Sequence, residues 1–258
     1  MKRLLILLGI FVLCSSHELF LKLDAYFLEP DRPALGYLYN GTFTESDNVI
    51  TRDRIVAARV TGPDYVFTPN DSSYYDRDKA TFLRFRTGEA GTYLAGISTK
   101  ARTITLEAKA FNDYLRHEGL AHVLKEREGA GISDQPAKER YAKHVKAVFQ
   151  VGKTQSVHYK ELLNYPIEFV PLENPYAKKV GETLRFRLYF QGRPLPDQPL
   201  FFGTAATREQ TRTDAAGEVE VRLSEAGAWY LSTIYMETLA GEEPDYASHW
   251  ATLTFGLR

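Results

Sequence analysis

The stretch from residue 164 to residue 199, NYPIEFVPLENPYAKKVGETLRFRLYFQGRPLPDQP, constrains this chain most, because it reads as the end of one domain and the start of another. Pro171 and Pro175 forbid a helix across Glu173 and Asn174, since proline lacks the N–H a helix needs and restricts the residue before it. Ile167 to Val170 reads as a short strand. From Thr183 to Phe190 polar and apolar residues alternate, the period of a strand with one face on a core. Gln191, Gly192, Arg193 and Pro194 then turn the chain. No catalytic signature falls within the stretch.

The N-terminus bears on the compartment. Lys2 and Arg3 precede an apolar run from Leu4 to Leu13, and Cys14, Ser15 and Ser16 follow. That is the layout of a secretory signal, and the run is far short of the ~20 residues a membrane-spanning helix needs. Residues 1–16 therefore read as a signal peptide. Its removal leaves 30 basic against 33 acidic residues and takes away the only cysteine. A periplasmic or secreted chain of this kind has no disulfide and is held by apolar cores alone. The near-neutral balance gives no reason to expect a nucleic-acid partner, and no membrane span is expected after the signal is removed.

Residues 17–107 read as about seven short strands, the pattern of an N-terminal β-sandwich. Leu19, Leu21 and Leu23 alternate, as do Val56, Ala58 and Val60, and Asn40 with Gly41 reads as a turn. Residues 108–150 read as an α-helical insert: Phe111, Leu115, Val123 and Leu124 have helical spacing with Gly119 dividing them. Ser133 or Asp134 caps a second expected helix carrying Tyr141, Val145 and Val148. Residues 151–165 read as a linker, and residues 166–258 as a C-terminal sandwich of carboxypeptidase-regulatory or transthyretin-like type. An internal echo supports two modules. FRTGEAGTYL, residues 85–94, is matched by VRLSEAGAWY, residues 221–230, each a strand, a Glu-Ala-Gly turn and an aromatic strand. The expected fold is mainly β, two immunoglobulin-like or transthyretin-like β-sandwich modules with a helical insert between them.

Four features carry a family resemblance: HELFL after the signal; FNDYL with EGL at residues 111–120; RYAK leading to QVG at residues 140–152; and IEFVPLENPY at residues 167–176. Together they resemble the bacterial family called domain of unknown function 4198. The resemblance implies an exported, β-rich, two-part protein, and some members are similar to periplasmic components associated with nickel or cobalt uptake.

Six histidines bear on that metal connection: His17, His117, His122, His144, His158 and His249. No H-E-x-x-H, Cys-x-x-Cys or calcium loop is written locally. His17 stands apart because cleavage after Ser16 leaves its α-amino nitrogen and imidazole free together. Cleavage after Cys14 leaves Ser-Ser-His, whose nitrogens suit Cu(II) or Ni(II). His249 is the first choice of second ligand, with His144 or His158 next. His117 and His122 are set about 140° apart around a helix and do not share an ion. The leading expectation is an exported protein binding nickel, cobalt or copper through His17, His249 and His144, with a metal transporter or envelope protein as partner. It would need no organic cofactor. The alternative is a non-catalytic envelope module that binds protein or glycan through an aromatic strip on one sandwich face. With no G-x-S-x-G, phosphate loop or acid–base pair, the chain reads as no enzyme.

Overall fold

A computed structural model describes residues 17–239, 241 and 243–258; the expected signal, residues 1–16, lies outside them, as do Ala240 and Glu242. The chain begins with β1 (Glu18–Leu23), β2 (Phe27–Leu28), β3 (Pro33–Gly41), β4 (Ser46–Asn48), β5 (Ile55–Gly62) and β6 (Tyr65–Phe67). Next come β7 (Tyr74–Arg77), β8 (Ala80–Arg86), β9 (Gly91–Thr99) and β10 (Arg102–Leu106). Helices α1 (Ala108–His117) and α2 (Ala121–Gly129) lead to the long strand β11 (Ala137–Val151). β12 (Ile167–Pro171), β13 (Thr183–Phe190), β14 (Arg193–Pro194), β15 (Pro199–Gly203) and β16 (Arg208–Arg212) follow. The chain closes with β17 (Glu218–Arg222), β18 (Gly227–Thr238) and β19 (Tyr246–Leu257).

The fold is mainly β, with sandwich modules and a two-helix insert. Its three sheets are not two separate pairs. A 10-stranded sheet runs β16-β15-β18-β19-β11-β9-β5-β6, with β10 and β2 also on β11. The N-terminal sheet, β1-β3-β8-β7 with β4, packs on one face of it. There Leu19, Leu21 and Leu23 meet Val145, Ala147, Phe149, Tyr93 and Ile97. The C-terminal sheet, β12-β13-β14 with β17, packs on the other face, where Ile167, Phe169, Phe186 and Leu188 meet Val148, Leu253 and Phe255. The two sandwiches therefore share a middle layer, stitched by the parallel pairing of β11 with β19 from Glu139↔Tyr246 to Ala147↔Thr254.

The echo has a structural meaning. In both copies the turn carries the chain from an outer sheet into the shared one, β8 to β9 and β17 to β18. The aromatic after each turn plugs a core: Tyr93 and Trp229 are both buried. Each also donates to the carbonyl of the turn glutamate four residues back, Tyr93 Oη to Glu89 at 2.7 Å and Trp229 Nε1 to Glu225 at 3.1 Å. Buried aromatics with a polar handle need such a partner.

Two expectations are corrected. The segment expected as a second helix after Ser133 is β11, so the helical insert stops at Gly129 and residues 137–151 form a central strand. β11 feeds apolar side chains to a core on each face, Val145, Ala147 and Phe149 to one and Val148 to the other, and buries polar ones between them, so Tyr141, Val145 and Val148 satisfied the helical period without specifying it. Asn40 and Gly41 do not turn the chain; they lie in β3 at a bulge opposite β4, and the turn falls at Thr42, whose N–H donates to Glu45 O. Gly119, with φ +75°, does divide α1 from α2. No helix among the described residues is long and apolar enough to cross a membrane.

Candidate functional site

Alternation along β11 distributes the chemistry. Neighbouring residues on a strand face opposite ways, so Lys143 points toward the N-terminal sheet while His144 and Lys146 point toward the linker and the C-terminal module. On that second side lies a cleft of about 390 Å³ lined by Asn164, Tyr165, Glu168, Gln191 and His249. It sits where β9, β11, the linker, β12 and β19 converge, the kind of junction where ligand sites concentrate. Gly96 on β9 makes the close approach possible: a Cβ there would stand 2.1 Å from Leu163 Cδ1 and 2.9 Å from Tyr165 Oη.

Two of the three histidines expected as ligands meet here. His249 Nδ1 and His144 Nε2 are 3.5 Å apart, and the rings are nearly parallel, at 22°. Ser98 Oγ fixes the far side of His144, 2.8 Å from Nδ1. His144 is 3% exposed, and burial, with the His249 ring adding to it, holds its pKa down at about 3. Burial lowers His249 as well. Both imidazoles are thus neutral at neutral pH, the form that offers a lone pair to a metal. Beneath them Lys146 Nζ and Glu168 Oε2 form an ion pair at 2.9 Å, with side chains 1% and 2% exposed. Glu168 also accepts from the backbone N–H groups of Leu163 and Tyr165, which ties the linker to β12. Neither Ser98 nor this pair was legible in sequence, because their partners lie 46 and 22 residues away.

His17 is elsewhere. Its Nδ1 bonds Asp47 Oδ2 at 3.0 Å, and its carbonyl accepts from Lys143 Nζ. It therefore lies on the opposite side of the shared sheet from His144 and His249, so one ion cannot touch all three. His158 is held by Ser156 Oγ at 3.0 Å. Among the described residues no three His, Cys, Asp or Glu side chains gather to hold a metal ion. Around His17 the cleft walls are basic instead: Arg54, Arg102 and Lys143 line it with Asn40, Asn48 and Tyr141. Burial, with the Arg54 charge adding to it, lowers Lys143 to about 7.

A third feature crosses the outer face of the N-terminal sheet. Tyr75 stacks on Phe82 at 5.0 Å, Phe82 meets Tyr37 at 5.7 Å, and Tyr37 meets Tyr39 at 4.9 Å. The register places these side by side, Tyr75↔Phe82 and Tyr37↔Phe82. Cations flank the row: Lys22 over Tyr39 at 5.1 Å, Arg77 over Phe82 at 4.9 Å and Arg84 over Tyr75 at 5.2 Å. Tyr37, Tyr39 and Tyr75 are half-buried and both arginines exposed.

The family described as Domain of unknown function (DUF4198) matches over residues 14–237. The chain belongs to this family. No curated protein matches this DUF4198 chain. Among solved structures it is similar to the D0-D1 domain of Intimin, at 10% identity and TM-score 0.23, covering 93% of this chain and 97% of that one. It is also similar to a Salmonella alpha-2-macroglobulin mutant, at 12% identity and TM-score 0.27, covering 92% of this chain and 15% of that one. The Yersinia pseudotuberculosis adhesin InvE matches at 13% and 0.25, covering 91% of this chain and 58% of that one. At those scores the likenesses carry no argument.

Proposed function

We propose that this DUF4198 protein is an exported, non-catalytic binder of a divalent transition metal, nickel, cobalt or copper, with His144 and His249 as its protein ligands. The single observation behind this is the 3.5 Å between the facing ring nitrogens. Nitrogen ligands sit ~2.0–2.1 Å from such ions, so this span corresponds to an angle of about 117° at a shared ion. Imidazole suits these metals, and the Ser98 contact to Nδ1 orients His144 in the way outer partners orient ligating histidines. Two protein ligands leave the other positions to water or to a partner's groups. That makes a labile site, suited to hand-over to a metal transporter or envelope protein. His17 is a separate, terminal nitrogen donor in this reading.

Titration of the purified protein with Ni(II), Co(II) and Cu(II) tests it. Binding should drop at least tenfold in His249→Ala and in His144→Ala and persist in His17→Ala. Loss only in His17→Ala, or no loss in any variant, would overturn the pair as the site.

The aromatic row favours a second reading, a module that binds glycan or protein on its outer sheet. Rings flanked by cations offer apolar faces to sugar rings and charges to acidic groups. Retention on immobilised glycans that survives Tyr39→Ala and Arg84→Ala together would count against it.

A further inference from the structure

We propose that the basic cleft beside His17 is a binding site for a small molecule bearing an oxyanion, a carboxylate or a phosphate. The cleft measures about 400 Å³, and its lining includes Arg54, Lys143 and Arg102 but no acidic side chain. Arg54 is 6% exposed. Its guanidinium has five N–H donors; Nη2 makes a long 3.4 Å bond to Lys100 O, and Nε is buried without a partner among the described residues. Tyr141 supplies a ring 5.5 Å from its Cζ and a hydroxyl that favours the guanidinium charge, but no carboxylate. Lys143, 4% exposed, donates to two neutral oxygens, His17 O and Asn40 Oδ1. It has no carboxylate at salt-bridge distance among the described residues. Buried cations are ordinarily paired. Two without a salt-bridge partner among the described residues, walling one cleft, point to a counter-charge brought by a ligand.

The neighbouring acids do not meet that need. Asp47 is engaged by His17 Nδ1 at 3.0 Å, Asp53 lies 3.9 Å from Arg102, Glu139 is held by Ser248 and Tyr114, and Glu18 and Glu139 favour the Lys143 charge only from beyond salt-bridge distance; none of the four lines the cleft. Arginine presents a planar fork that matches carboxylate and phosphate oxygens, and such charge-assisted bonds are the stronger kind. Asn40 and Asn48 add neutral amide donors and acceptors for the rest of the molecule. The cleft lies on the opposite side of the shared sheet from the histidine pair, so it stands whether or not that pair binds metal.

Calorimetric titration of the purified protein with inorganic phosphate and with D-glucuronate tests the site, with methyl β-D-glucoside as the neutral control. One or both anions should bind, and which of them does identifies the oxyanion. The neutral sugar should not. Arg54→Gln should weaken binding at least tenfold. Because Arg54 is buried, the exposed Arg102→Glu provides a second arm that leaves the core intact, and it should also weaken binding. His249→Ala should leave anion affinity unchanged. Failure of both anions to bind, equal binding of the neutral sugar, or unchanged affinity in both arginine variants would overturn the inference.

Discussion

Lys143 and Lys146 sit three residues apart on β11, face opposite sides of the shared sheet, and are both buried, yet they live in different chemistry. Lys146 has a carboxylate partner at 2.9 Å, and Glu168 in turn receives two backbone N–H groups. Lys143 has a carbonyl and an amide oxygen and the faces of Tyr141 and Trp250, with no carboxylate at salt-bridge distance among the described residues. The first is a completed structural joint that fastens the C-terminal module and linker to the middle layer. The second stands in the wall of a solvent-connected cleft without a carboxylate bound to it. A buried charge locked to its partner holds the fold; one without such a partner is the basis of the anion site proposed above.

The sharpest way to break this contrast is Lys146→Met, which leaves the Glu168 carboxylate buried without its cation. Urea denaturation should show a loss of ~3–5 kcal/mol, whereas Lys143→Met should cost less, about 1 kcal/mol, since no directly bonded carboxylate loses its cation. Equal losses would end the distinction. Combining Lys146→Met with Glu168→Leu should recover most of the loss, because replacing a whole buried pair by apolar groups is often near neutral.

Acid offers the next test. The His144 pKa is depressed to about 3 against ~6.5 when unfolded. Between those values the unfolded chain binds a proton that the folded chain refuses, so stability falls as pH drops. From pH 7 to 4.5 this group should account for about 2.5 kcal/mol, visible as a shift in the urea midpoint. His144→Gln should lack that part of the shift. A variant whose pH profile matches the parent would show that the His144 side of β11 is not sealed as described.

The smallest effect concerns the paired turns. Tyr93→Phe removes one hydrogen bond to Glu89 O while keeping the ring, and should cost ~0.5–1.5 kcal/mol in thermal or urea unfolding. Trp229→Phe removes both a bond and ring volume, and should cost more.

The short N-terminal strands, the alternation from Thr183 to Phe190, the helical spacing around Gly119 and the two Glu-Ala-Gly turns were all legible, because each is decided by neighbours within a few residues. The same local logic misread β11, since a strand between two cores has apolar residues on both sides and no period to betray it. His144 and His249 could be picked as candidate ligands from residue type alone. Their meeting could not, because the parallel pairing of β11 with β19 brings together positions 105 residues apart.

Sequence by itself determined that this chain is β-rich, built of two echoing modules and supplied with a helical interruption, because strand period, turn glycines and helix spacing are short-range properties. Only the tertiary structure decided that the modules share one sheet, that His17 is parted from the other two histidines, and that one buried lysine is paired while its near neighbour is not. Those outcomes depend on which side of a common strand each residue takes and on what another part of the chain places opposite it.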